Sequence, residues 1–260
     1  MTPRDGGYDA RYAPILAAAE DRHFWFRARN AVIRAVASKI ERTLPSGYRV
    51  IEVGCGTGNT LRMLSAVCHR GSVLGMDWQR EGLSFARQRV SCPLVQADIR
   101  NLPFGPSIRF DLIGLFDVLE HIPDHVGALT ALRARLTARG VLLLTVPAAP
   151  ELWSSFDIAA RHCRRYTAES VTAALTAAGF EVDYLSPFMA SLYPLAWFRR
   201  RWRRTRELDA GRGDAVLEDL RIVPLVNSPL AWLLASEAPL IAARRRLPLG
   251  TSLLAIASNA

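Results

Sequence analysis

Cysteine is scarce in this 260-residue chain: the four present, Cys55, Cys68, Cys92 and Cys163, lack the close pairing of a thiolate metal site or a disulfide framework. Reduced thiols, a cytoplasmic setting and no metal are therefore the expectation, and no apolar leader-type run follows the opening MTPRDGGYDARY. A membrane span needs ~20 uninterrupted apolar residues. The apolar run Ile222 to Ala243 is interrupted by Pro224, Pro229, Pro239 and Glu237, which argues against one. Neither lysine nor arginine occurs from Ile51 to Leu61, so the glycine-rich turn found there lacks the Gly-Lys-Ser/Thr ending of a polyphosphate-binding loop. Asn59 stands where a dinucleotide fingerprint would want its third glycine.

What is present is a core-forming composition: half of the residues are hydrophobic, enough for one large domain or a domain with an elaborate insertion. The organising stretch is Arg49 to Asn59, RVIEVGCGTGN. Val50, Ile51 and Val53 read as a buried strand, and Gly54, Gly56 and Gly58 remove alternate Cβ atoms where the chain turns into a helix over Leu61 to Cys68. Strand, glycine turn and helix open a nucleotide-binding α/β sheet. Glu52 beneath that turn suits a ligand with a cationic end and hydroxyls to be bound.

Further segments follow in order: Val73-Leu74-Gly75-Met76-Asp77, Val95-Gln96-Ala97-Asp98, Phe110-Asp111-Leu112-Ile113, Asp117-Val118-Leu119-Glu120-His121 and Gly140-Val141-Leu142-Leu143-Leu144. Together with Glu52-Val53-Gly54-Cys55-Gly56-Thr57-Gly58 they resemble the class I S-adenosylmethionine-dependent methyltransferases, closely over Val50 to Pro147 and more loosely beyond. The resemblance implies a doubly wound, Rossmann-like α/β fold: seven strands, mostly parallel, with an antiparallel last strand inserted beside the sixth. It also implies S-adenosylmethionine as cofactor. The expected divisions are an N-terminal helical cap over residues 1–47, a core over 48–189, a helical Arg-rich insertion over 190–248 and the final strand over 249–260.

Candidate cofactor residues follow from both sources. Asp77 ends the second strand 19 residues beyond Gly58, where an acid accepts a ribose diol. Trp78 beside it stacks on adenine or serves packing. By the resemblance, Asp98 accepts the adenine amine with Ile99 beside it, Phe116 and Asp117 close the fourth strand at the site, and Gly54, Cys55, Gly56 and Gly58 form the cofactor turn. Trp25 and Arg29 share a helical face; under the cap reading Trp25 excludes water and Arg29 holds a carboxylate, and under the plainer one the helix packs on the sheet.

His121, titrating near neutrality, is a candidate base for the acceptor's proton, with helix packing as the competing role of Glu120-His121. The stretch Glu151 to Tyr166 is read as irregular and beyond the carboxyl ends of the strands, where open α/β sheets bind ligands. There His162 and Tyr166 are further catalytic candidates, and Trp153 and Arg165 candidate acceptor contacts. A helix over Asp124 to Leu136, ended by Gly140, precedes a fifth strand at Val141 to Val146.

Net charge is +9, and eleven arginines against six acids between Arg199 and Arg246 supply more than half of it. The cluster Arg199-Arg200-Arg201-Trp202-Arg203-Arg204 lies between apolar runs. Such order fits a contact with the inner face of a membrane or with a lipid-like acceptor, or a lid or homodimer contact. Nucleic acid is the disfavoured partner, because an RNA or DNA enzyme carries aromatic and basic residues around its mouth, whereas these arginines fall late. The expected reaction is methyl transfer to an O, N or C nucleophile of a small or amphiphilic acceptor.

Overall fold

The computed structural model describes residues 10–203 and 220–259. Alternating hydrophobic runs and turns give seven strands among them: β1 (Arg49–Val53), β2 (Ser72–Asp77), β3 (Leu94–Gln96), β4 (Phe110–Phe116), β5 (Leu136–Pro147), β6 (Phe180–Phe188) and β7 (Ser252–Asn259). They form one sheet in the order β3-β2-β1-β4-β5-β7-β6. β1 to β5 pair in parallel, and β7 runs antiparallel to both β5 and β6. Strand β1 sits beside β4 at the point where the order reverses, which in open α/β sheets is where a ligand crevice opens.

The strands are apolar because both sheet faces are covered. On one face, helices α2 (Phe24–Glu41), α3 (Asn59–Val67) and α4 (Arg80–Arg89) bury Val32, Ile33, Val36, Leu61, Leu64 and Leu83. On the other, α5 (His125–Arg133) and α7 (Ala168–Ala177) bury Leu129, Leu132, Val171 and Leu175. A short helix α1 (Ala13–Ala19) precedes α2, and α6 (Ser155–Ala159) lies in the loop after β5. Thr167 caps α7, its hydroxyl accepting from the Ser170 amide. The stretch Glu151 to Tyr166 is less irregular than expected: a 3-10 turn at Pro150–Leu152 precedes α6, whose capping box joins Ser154 and Asp157.

The helix predicted over Asp124 to Leu136 stops earlier. It ends at Arg133, and Leu136 already pairs with Phe110, so Gly140 lies inside β5. The cause is a register shift between Phe110 and Leu112, which lengthens β5 and lets Thr137 donate its hydroxyl to Asp111 Oδ1 at 3.0 Å. Leu136 is apolar because it is a buried strand residue.

After β6 come α8 (Tyr193–Arg203), α9 (Pro224–Ala235) and α10 (Ala238–Ala242). The run Pro224–Ala242 is long and apolar enough by composition to cross a membrane, with mean hydropathy 1.2. It is divided at Ser236 and Glu237, not by its prolines: Pro224 and Pro239 open the two helices, where no amide hydrogen bond is lost, and Pro229 is carried inside α9. Both helices lie along α2. Leu234, Ala238 and Ile241 join the same apolar cluster as Ile33 and Ala37, so one core joins segments that boundaries at 47, 189 and 248 would separate. Asn227 fastens the contact, its Oδ1 accepting from the Phe24 amide and its Nδ2 donating to the Arg22 carbonyl, both at 2.8 Å. Arg204, and the side chains of Arg199 to Arg203, lie outside the described residues.

Candidate functional site

At the carboxyl ends of β1, β2, β4 and β5 a cavity of about 970 Å³ opens between the sheet, the start of α2 and the segment after β6. Its floor is the glycine turn. Glu52, the last but one residue of β1, is buried beneath it, and its Oε2 has no hydrogen-bond partner. Burial raises the Glu52 carboxyl well above its ordinary range, Arg29 opposing and Asp77 and Glu20 adding to the shift. Gly54, Cys55 and Gly56 line the cavity, and a Cβ on Gly56, at φ +51°, would meet nothing within 4 Å, so this backbone is bare toward the space. Gly58 does not line it. At φ +82° its missing side chain makes room for α4, since a Cβ there would lie 2.9 Å from the Ala86 Cα.

Asp77 ties the turn to β2: Oδ2 accepts from the Gly56 amide and Oδ1 from the Gln79 amide, each at 2.7 Å. Burial raises its carboxyl, and the amides of Gln79, Gly56 and Trp78 lower it. Trp78, half exposed, and Ile99, buried, line the cavity nearby. Asp98 lines it too, with its carboxylate paired to Arg100 at 2.6 Å.

Phe116 closes β4 and Asp117 follows it. Asp117 adopts φ +54°, a left-handed conformation that aspartate tolerates better than most residues. Its Oδ2 accepts from Arg29 Nη1 at 2.7 Å and from the Thr145 hydroxyl at 3.2 Å. Arg29 also donates to Thr60 Oγ1 and lies 5.1 Å from the Trp25 ring centroid. Trp25 and Arg29 thus share a face and line the cavity, while the rest of α2 packs on the sheet. The carboxylate Arg29 holds here is the protein's own.

At the other end lie Glu120, His121, Trp153, His162 and Arg165. The His121 and His162 rings are 4.7 Å apart, edge to face. His162 Nδ1 is 2.9 Å from Asp157 Oδ1, which also accepts from Arg165 Nε at 2.8 Å. Asp157 is fully buried; these two partners outweigh that burial and hold its carboxyl down near about 2. Burial, and then His162, push the His121 imidazole down to about 3. That direction runs against the near-neutral titration expected of a general base at this position. Tyr166 is removed from the site: it is buried behind the cavity wall, its hydroxyl 2.8 Å from His125 Nδ1 and 3.4 Å from the Leu119 carbonyl, and burial raises it to about 12.

Two features were not foreseen. Asp157 organises His162 and Arg165, and its signal was present in Ser154-x-x-Asp157, the spacing of a capping box. Glu20 pairs with Arg89 Nη1 at 2.5 Å and accepts from the Thr57 hydroxyl, tying α1 and α4 to the glycine turn; these contacts span 69 and 37 residues.

A family profile described as a methyltransferase domain matches residues 25–185, well over half of the chain. The chain belongs to the methyltransferase family. It is a class I, S-adenosylmethionine-dependent enzyme, as the order of its segments implied. A protein of Mycolicibacterium smegmatis named for S-adenosylmethionine-dependent methyl transfer is 27% identical over 212 residues, covering 80% of this chain and 74% of that one. A trans-aconitate 2-methyltransferase of Azoarcus sp. is 28% identical over 68% of each chain. The fold matches a solved complex between the Haloferax volcanii Trm112 methyltransferase activator and a methyltransferase, with TM-score 0.60 and 20% identity over 95% of this chain and 94% of that one. It also matches the plantazolicin methyltransferase BpumL in complex with S-adenosylhomocysteine, with TM-score 0.59 and 12% identity over 96% and 90%.

The residues present fit the methyltransferase cofactor. S-adenosylmethionine is a cation with a ribose diol, and the cavity offers a buried carboxylate oxygen without a partner, a second carboxylate at Asp77 and a bare glycine backbone between them.

Proposed function

We propose that this methyltransferase transfers a methyl group to an oxygen, nitrogen or carbon nucleophile of a small or amphiphilic acceptor, of which a lipid-linked or isoprenoid phosphate is the most specific form. The observation that carries this reading is that the cavity continues from the cofactor floor, Glu52 to Gly56, to an apolar wall made by Trp153, Leu192, Leu195, Trp197, Val226 and Leu230. The bound cofactor supplies an electrophilic methyl on sulfonium. Glu52, Asp77, Asp98, Trp78 and Ile99 would hold it, Trp25 would exclude water, and Arg29 would stay on Asp117 to keep the α2 wall in place. The chain's main contribution is alignment in a dry site, worth more here than covalent help. Burial favours the uncharged imidazole of His121, which would help to orient an acceptor rather than act as a strong base. His162, oriented by Asp157, would flank the acceptor at the same end of the cavity.

The outer face of the late segment supports an amphiphilic acceptor. Leu225 is 89% exposed, Trp232 75% and Phe198 66%, and apolar side chains this exposed on α8 and α9 would be covered at a lipid surface. A cytoplasmic enzyme working at the inner face of the membrane fits this arrangement. Incubation of the pure enzyme with methyl-labelled cofactor and separate lipid and aqueous extracts of its host tests the reading. Label entering the lipid fraction is expected; label only in water-soluble products would limit the acceptor to small polar molecules, and label in nucleic acid would overturn the reading.

A further inference from the structure

We propose that Glu120, His121 and His162 form a binding site for a first-row divalent metal ion at the acceptor end of the cavity, an inference that rests on the methyl-transfer reading for its purpose but not for its geometry. Their ligand atoms lie within 4.8 Å of one another, and the three side chains come from two segments, the 3-10 turn Leu119–His121 after β4 and the loop after α6. Glu120 is 1% exposed, and its Oε2 has no hydrogen-bond partner. A carboxylate buried so deeply is stabilised by a cation or carries a proton. His162 Nε2 stands 4.0 Å from Glu120 Oε1. That is too long for a hydrogen bond, and it is within twice the ~2.1 Å that a divalent ion keeps from nitrogen or oxygen ligands.

The surroundings repeat the logic of known metal sites. A ligating histidine normally gives its second ring nitrogen to a carboxylate, which fixes its tautomer and aims the other nitrogen at the ion. Asp157, fully buried, does this for His162 at 2.9 Å and is itself held by Arg165. Two imidazoles and one carboxylate are a mixed set that favours ions from Mn²⁺ to Zn²⁺ over the oxygen-seeking Ca²⁺ and Mg²⁺. Three protein ligands leave coordination positions open toward the cavity. The acceptor class that would use them presents oxygen donors, such as a hydroxyl next to a carbonyl, carboxylate or phosphate, which the ion would hold and orient. The cysteines behind the expectation of no metal play no part, since the ligands here are Glu120 and two histidines that stand 41 residues apart.

The test uses the full chain, stripped with a chelator and titrated with CoCl₂ and ZnCl₂, while calorimetry with S-adenosylmethionine runs in parallel. One equivalent of metal is expected, with cobalt d–d bands of nitrogen and oxygen ligation and no thiolate charge-transfer band, unchanged in Cys163→Ser. Glu120→Gln and His162→Ala should each weaken uptake a hundredfold or more, and Asp157→Asn roughly tenfold to a hundredfold. No uptake by the wild type, wild-type affinity in Glu120→Gln, or a thiolate band lost with Cys163→Ser would each overturn the site. Should His162→Ala fail to fold, the stoichiometry and spectrum of the wild type and the behaviour of Glu120→Gln still decide. Cofactor binding without metal uptake would defeat this inference alone, and metal uptake without cofactor binding would defeat the functional reading alone.

Discussion

Arg29 Nη1 donates to Asp117 Oδ2 at 2.7 Å, joining the cavity wall of α2 to the end of β4 across 88 residues of sequence. Both side chains are mostly buried, at 9% and 16% exposure. Arg29→Met keeps the aliphatic stem but leaves Asp117 without its cation. Removing one partner of a fully buried pair costs ~3–5 kcal/mol, so this partly screened one should cost about 2–3 kcal/mol. Urea denaturation measures it, and an unshifted midpoint would mean that solvent already screens the pair.

Asp77 serves both the turn and the proposed ribose contact. Asp77→Ala should weaken S-adenosylmethionine by about tenfold to a hundredfold, equivalent to ~1.5–3 kcal/mol. Calorimetry reads it directly, and an unchanged affinity in a folded variant would remove Asp77 from the site.

Glu52 links cofactor binding to pH. Its folded carboxyl is raised above the unfolded value, so the native state binds more protons than the unfolded chain as pH climbs from ~4.5. Stability of the cofactor-free enzyme therefore falls as pH rises through that window. Glu52→Gln removes this loss: at pH 7, thermal melts should give the variant a higher midpoint than the wild type, while its cofactor affinity falls at least tenfold. A variant less stable than the wild type at pH 7 would mean that the Glu52 charge is already compensated in the cofactor-free enzyme.

Gly58 separates packing from binding within one motif. Gly58→Ala adds a Cβ at φ +82° and 2.9 Å from the Ala86 Cα, which should cost ~2–4 kcal/mol through strain and displacement of α4. Chemical denaturation gives the figure, and a loss below ~0.5 kcal/mol would show that α4 yields freely.

Asn227→Ala removes two hydrogen bonds between α9 and the start of α2 and leaves the Arg22 carbonyl and Phe24 amide to find other partners. A loss of about 1–3 kcal/mol is expected, together with weaker cofactor binding because Trp25 and Arg29 sit on the loosened end. Unaltered cofactor affinity would separate the insertion from the cofactor wall.

Much of this was legible in the sequence where the signal is local. β2 and β4 fall where apolar runs predict them. Illegible parts depend on contacts between distant segments. Nothing near Tyr166 shows that its hydroxyl is turned away toward His125 and Leu119, and His121 looks like an ordinary histidine until its burial is known. The end of α5 was missed because Leu136 fits a helical face as well as a strand; only its pairing with Phe110 decides between them.

The place of β7 between β5 and β6 bears on how the molecule is made. The five parallel strands can pair in the order in which they are synthesised, but among the described residues β6 has no neighbour until Ser252–Asn259 arrive, because β7 pairs with both β6 and the β5 edge. Until then two strand edges stand open, the kind of surface that recruits other chains. The segment from α8 to α10 must therefore be traversed by the ribosome while the sheet is still unclosed, and sealing of the sheet and seating of α9 and α10 on α2 become late, linked events in the enzyme's maturation.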